Sequence, residues 1–272
     1  MTFAAHRVAY AGYIAIFSAR FRMLLQYRAA AVAGFGTQLF WGLIRVMIFT
    51  AFYKSSTQKQ PLTLRDTVTY IWLIQATFAM IPWSIDTEVR ALIRNGTVAY
   101  ELLRPLDLYT LWFSRGAASR LAPTILRSIP LFAVAILLFG MQAPPSLASG
   151  LGWLLTTFGA LMLSTAVSTL VVISMVLTLS GEGISRFVPP LIYTLSGMLV
   201  PLPLMPGWAQ GALNFLPFRD LADVPFRIYI GNIPVHDLAQ ALAHQFIWTV
   251  TLIWLGRALL ARASRRLVIQ GG

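Results

Sequence analysis

Six stretches of mainly apolar residues, at 29–53, 68–85, 120–141, 151–180, 186–204 and 238–261, run along this chain of 272 residues. An α-helix needs about 20 such residues, rising about 1.5 Å each, to cross a bilayer, and each stretch meets or approaches that length. Hydrophobic residues make up 57% of the chain and charged residues 11%. A soluble domain of this size with that balance would lack polar cover for its surface, so the chain belongs in a membrane. Backbone groups in lipid must be satisfied within the segment, and the period-two alternation of a barrel is absent, so the spans are read as helices. The expected architecture is an all-α membrane protein with six transmembrane helices. Residues 1–28 form an N-terminal interfacial helix, and 29–272 form one six-span domain without an appended soluble module.

The formal net charge of +12 would suggest nucleic acid in a soluble protein, but here the basic residues flank apolar spans and set topology instead. Arg7, Arg20, Arg22 and Arg28 precede the first span, and Arg90, Arg94, Arg104 and Arg115 lie in the loop 86–119 with Arg120 at its edge. Arg257, Arg262, Arg265 and Arg266 close the chain. The opposite loops hold Lys54, Lys59 and Arg65, then Arg219 and Arg227 diluted by Asp220, Asp223 and Asp237. By the positive-inside rule both termini are cytoplasmic, in a cell membrane crossed several times. Residues 1–28 show no short apolar core followed by a small-residue cleavage pattern, which argues against a signal peptide. With no cysteine there is no disulfide and no thiolate metal site.

Prolines mark the irregular places. Pro123 and Pro130 should bend the third span, Pro189 and Pro190 restrict the start of the fifth, and Pro201, Pro203 and Pro206 end it. The segment 205–235 is too apolar for a free loop, yet it is broken by Pro217 and Pro225 and carries three charged side chains near its middle. Two short helices dipping into the outer leaflet and buried against protein are expected there.

The loop 86–119 holds most of the functional signal. Asn95-Gly96 is a turn, Val98 to Leu103 makes one or two helical turns, and Pro105 stops them, with Glu101 and Arg104 spaced to pair along the surface. A short, firmly turned helix on a cytoplasmic face is read as a docking element for a separate protein, in preference to a solvated connector. Catalytic patterns are absent. Leu179-Ser-Gly-Glu-Gly183 is similar to the signature loop of ATP-binding-cassette ATPases, but no Gly-x-x-x-x-Gly-Lys-Ser/Thr accompanies it, so these residues are read as a short cytoplasmic turn. His236 and His244 are two helical turns apart, too far for joint ligation of one ion, and no His-Glu-x-x-His or Ser/His/Asp set occurs. The chain is therefore not expected to be an enzyme or to hold a metal.

No Asp or Glu is expected well inside a span, whereas ion-coupled carriers usually place a carboxylate at depth. The charges expected at depth are Arg45 and Arg127. Arg127 should snorkel to the inner interface. Arg45 either reaches the outer headgroups or faces a pathway or subunit interface, where Asp220 or Asp223 could pair with it.

Three runs carry a family likeness: Asn95-Gly-Thr-Val-Ala-Tyr-Glu-Leu-Leu-Arg-Pro-Leu-Asp107, Leu195-Ser-Gly-Met-Leu-Val-Pro-Leu-Pro-Leu-Met-Pro-Gly-Trp208 and Arg265-Arg-Leu-Val-Ile-Gln-Gly-Gly272. In their order on a six-span chain they resemble ABC-2 type transporter permeases, in particular the drug- and viologen-exporter-like branch of the ABC-2 family transporter proteins. The resemblance implies the interfacial helix, the six spans and the outer-leaflet helices. It also implies a coupling helix for an ABC ATPase subunit, assigned to Gly96, Thr97, Val98, Tyr100, Glu101, Leu102, Leu103 and Arg104. ATP and Mg²⁺ would sit on that partner and no cofactor on this chain. A second permease chain, as homodimer or heterodimer, would complete the path. The implied function is efflux of a small amphipathic or toxic compound, with an ion-driven secondary transporter as the alternative.

Overall fold

A computed structural model describes residues 3–82, 87–95, 97–103, 105–178 and 182–270, and the structural statements below concern these. The chain runs α1 (Phe3–Leu25), α2 (Arg28–Ser55), α3 (Leu64–Thr77), α4 (Thr87–Arg94), α5 (Ala99–Leu102) and α6 (Leu108–Leu138). It continues through α7 (Leu147–Thr178), α8 (Glu182–Leu195), α9 (Gly207–Phe215), α10 (Asp223–Tyr229) and α11 (Leu238–Gln270). Short 3₁₀ turns at Phe78–Met80, Leu202–Leu204, Pro217–Leu221 and Val235–Asp237 join several of them. No strand occurs among the described residues.

Four helical stretches are long and apolar enough to cross a membrane: Arg28–Ser55, Leu108–Leu138, Leu147–Leu177 and Val235–Ser264. The stretches expected at 68–85 and 186–204 form shorter helices, α3 and α8, of 14 residues each. At about 1.5 Å per residue each of these is about 21 Å long, short of the hydrocarbon thickness. The third span is longer than expected, because Asp107 caps it thirteen residues before the expected start by accepting the Thr110 N–H at 2.9 Å. It stays helical through Pro123 and Pro130.

The prolines around α8 sit differently from the expectation that they bound the span. Pro189 and Pro190 lie inside this helix, and it stops at Leu195, six residues before Pro201. Gly197 ends it at φ +85°, a left-handed conformation, with the Leu199 N–H returning to the Tyr193 carbonyl. A Cβ at residue 197 would strike the Tyr70 hydroxyl, so glycine is required for close approach as well as for the turn.

α7 is the axis. Of its apolar window, 78% is buried, against 11% for α2 and 22% each for α6 and α11. It packs against α6, α8, α10 and α11. Its hydroxyls fold back along the helix: Thr156 to Gly152, Thr165 to Leu161, Ser168 to Ser164 and Thr169 to Thr165, all at 2.7–2.8 Å. These four hydroxyls are thereby satisfied within the helix, which leaves small side chains for close helix contact. At Gly159 the Gln245 amide of α11 occupies the space a side chain would fill.

α3 forms the second centre. Every residue from Thr69 to Thr77 is buried, and the helix begins on a capping box in which Thr63 and Asp66 bond each other's backbone N–H. Trp72 stacks on Phe139 at 5.2 Å and lies over Gly42 of α2, where an added Cβ would come within 2.5 Å of the ring. α1 lies along α6, with the Tyr13 hydroxyl accepting the Asp107 N–H at 2.7 Å and Tyr10 and Ile14 left exposed.

Candidate functional site

The first candidate face gathers α4, α5 and the start of α6. Glu101 is only 4% exposed. One carboxylate oxygen accepts the Trp112 indole N–H at 2.7 Å and the other accepts an Arg115 N–H at 2.8 Å. Arg115 extends its other arm to Glu88 at 2.5 Å, and Glu88 takes Arg20 of α1 at 2.9 Å. An alternating chain of charges thus ties α1, α4, α5 and α6. Burial alone would raise the Glu88 carboxyl, but Arg115 and Arg20 outweigh it and hold the group below its ordinary range. Val98 turns inward among Leu108, Leu111, Val172 and Leu260. Thr97 is half-buried, while Tyr100 and Leu103 are 70% and 79% exposed.

Of the eight residues assigned to a docking contact, the structure therefore presents Tyr100 and Leu103 outward and turns Val98 and Glu101 inward. Gly96 and Arg104 lie outside the described residues, as do the side chain of Leu102 and the expected Glu101–Arg104 pair. Only one helical turn forms here, Ala99–Leu102. The turn expected at 179–183 also falls largely outside, at 179–181.

Arg120 was read as a topology charge at the loop edge, yet it is buried inside the bundle. It donates to Ser164 at 3.2 Å and to Ser168 of α7, as well as to the Gly116 carbonyl at 2.9 Å. Its partners lie 44 and 48 residues away in sequence, a separation at which no local pattern could pair them. Arg127 is half-buried, its guanidinium lying over Gly34 of α2.

The second candidate site is a groove of about 390 Å³ between α2, α3 and α8, lined among others by Gln38, Trp41, Arg45, Gln75 and Tyr193. Arg45 donates to the Met198 carbonyl at 2.5 Å and to the Tyr193 hydroxyl, with its guanidinium 5.5 Å from the centre of that ring. Its described bonds therefore go to the end of α8 and not to Asp220 or Asp223. Arg45→Leu should remove one partner from the carbonyl and one from the hydroxyl at a cost of about 1–2 kcal/mol. Arg45→Lys keeps the charge but loses the planar fork. The thermal midpoint is expected to fall in both; a parental midpoint in Arg45→Leu would show that neither contact contributes to stability.

The two aspartates are buried in the 205–235 segment with partners of their own. Asp223, 1% exposed, accepts the Tyr70 hydroxyl at 2.9 Å and the Leu202 N–H at 3.2 Å, and pairs with Arg227 at 3.3 Å. Burial pushes its carboxyl up, against the pull of Arg227. Asp220, 0% exposed, meets His244 of α11 at 2.5 Å. The residues were singled out in sequence for their charge, but their partners Tyr70 and His244 come from helices 153 and 24 positions away.

Long apolar helices, a polar network at one end and buried carboxylates in a broken segment at the other define an integral helical membrane protein. The family model for ABC-2 family transporter proteins matches residues 32–271. The chain belongs to that family and is a membrane component of transport. No curated protein and no solved structure matches it.

Proposed function

We propose that this chain is the permease subunit of an ABC-2 exporter, driven by a separate ATPase and forming half of a translocation path. Six crossings are assigned to α2, α3 with its 3₁₀ extension, α6, α7, α8 and α11. α3 and α8 are short, and the broken 205–235 segment completes the outer leaflet above them. Both termini face the cytoplasm of the cell membrane and α1 lies in the inner interface. A second permease chain, identical or not, supplies the other half. ATP and Mg²⁺ bind the ATPase, and the groove around Arg45 takes a small amphipathic compound.

The observation that carries the reading is the α5 turn. Its outer side offers Tyr100 and Leu103, while its inner side is held to α6 and α1 through Glu101, Arg115 and Glu88. A partner pressing on that turn would move the bundle rather than bend a loop. Closure of the ATPases on ATP would then shift a two-state equilibrium of the membrane halves by rigid-body rocking.

The test is Leu103→Asp. An unpaired charge in a docking contact should cost about 2 kcal/mol, a weakening of roughly thirtyfold in ATPase association, with the thermal midpoint of the permease unchanged. Co-purification at parental levels with parental transport would remove the docking role. The alternative, an ion-driven carrier, would draw on the buried carboxylates Asp220 and Asp223, and it requires transport by the chain alone on a proton or sodium gradient.

A further inference from the structure

A cavity of about 610 Å³ opens between α9, α10 and α11, lined by Gln210, Asn214, Arg219, Arg227, Gln240 and His244 among others. His244 is 28% exposed there and offers a ring reachable by solvent protons, with Asp220 behind it. The two ring nitrogens face two oxygens. Nδ1 is 2.5 Å from the Asp220 carboxyl and Nε2 is 3.2 Å from the Phe215 carbonyl, at the end of α9. Trp248 Nε1 lies 3.1 Å from the same carbonyl and 3.3 Å from His244 Nε2.

Filling both contacts of the imidazole needs two protons on the pair, one between Nδ1 and Asp220 and one on Nε2. A neutral imidazole facing a carboxylate has only one. With Nδ1–H directed at Asp220, Nε2 becomes an acceptor. It is then repelled by the Phe215 carbonyl and competes with that carbonyl for the Trp248 N–H. Loss of one proton therefore removes the His244 donor from the end of α9 and draws the Trp248 donor away as well.

We propose that Asp220, His244 and Trp248 form a proton-operated latch, closed when the pair holds its second proton, that fastens the α9 corner of the 205–235 segment to α11. The charged groups facing it are Arg219, whose Nε lies 3.7 Å from Asp220, then Asp223 and its partner Arg227 on α10, and Asp237 on the cavity wall. From α7 the latch meets no charged group; Gln245 bridges the Asp220 and Thr156 carbonyls, each at 2.9 Å.

Burial pushes the Asp220 carboxyl up to about 6, against the opposing pull of His244 and Arg219. A raised carboxyl stabilises the closed state at low pH and ceases to do so as pH rises through about 6, the same direction as the ring geometry. In the proposed exporter the latch closes the outer end of the path, and an acidic exterior would hold it shut.

Because the chain has no cysteine, Ala212→Cys gives a single thiol on the exposed side of α9 for a spin label. With the labelled full-length chain in nanodiscs, the mobile fraction should rise roughly tenfold relative to the immobile one between pH 5 and pH 7. His244→Gln and Asp220→Asn, each in the labelled chain, should abolish the pH response, while His236→Gln, at a side chain 80% exposed, should keep it. A pH-independent spectrum in the labelled parent overturns the latch. So does an unchanged response in His244→Gln, or a response lost in His236→Gln. The latch rests on the transporter reading for its role but not for this test: both faces of a nanodisc meet one buffer and no ATPase is present, so its failure is distinct from failure of the docking experiment.

Discussion

Asp223→Ala is expected to destabilise the folded chain by about 3–5 kcal/mol, measured as a fall in thermal midpoint and in membrane abundance. The carboxylate is the common acceptor for the Tyr70 hydroxyl, the Leu202 N–H and Arg227, and it is 1% exposed. Its own N–H is bonded to the Ser196 carbonyl at 3.1 Å, so backbone and side chain together hold α10 against the end of α8. Removing the carboxylate takes the ionic partner from Arg227, which keeps its bond to Asn232 at 2.7 Å, and strands two buried donors, the Tyr70 hydroxyl and the Leu202 N–H, where water does not replace it. Tyr70→Phe deletes one donor and leaves the others in place, and should cost about 1–2 kcal/mol. An Asp223→Ala chain within about 1 kcal/mol of the parent would mean that the buried carboxylate contributes nothing to the fold.

Arg115→Met should cost about 3 kcal/mol and stop transport, because Glu101 would remain buried with, among the described residues, only the Trp112 N–H against its charge. The double variant Arg115→Met with Glu101→Gln should recover most of that stability. The amide still accepts from Trp112 but carries no charge to be left unpaired. Transport should stay low in the double variant, since α5 would no longer be tied through Arg115 to Glu88 and on to Arg20. Equal instability of single and double variants would show that Arg115 acts through its other contacts. Recovery of full transport in the double variant would mean that α5 needs no ionic tie to move the bundle.

The membrane class was legible in the sequence because hydropathy is a local property, and the four helices long and apolar enough to cross a bilayer follow from it almost directly. The stretches 68–85 and 186–204 were less legible. α3 and α8 have apolar sequence enough to suggest full spans, but capping at Thr63 and the left-handed Gly197 set their lengths, and the latter depends on the Tyr70 side chain packed against it. The loop 86–119 was legible as a turn bounded by Asn95 and Pro105. Which of its side chains face outward was not, because Val98 and Glu101 are drawn inward by partners on α6, α7 and α11. The same holds for Arg45, whose depth could be counted along its helix while its partners Tyr193 and Met198 lie 148 and 153 residues away.

By itself the sequence determined the solvent of this protein, its helical character and the end of the molecule that is densely basic, since each follows from composition and spacing along a single segment. Only the tertiary structure decided where the charges go. A charge in an apolar bundle must find an opposite charge or a hydrogen-bond partner, and the helices that supplied them, α6 for Glu101, α7 for Arg120, α3 for Asp223 and α11 for Asp220, are brought alongside by packing of apolar faces that carry no record of those pairings.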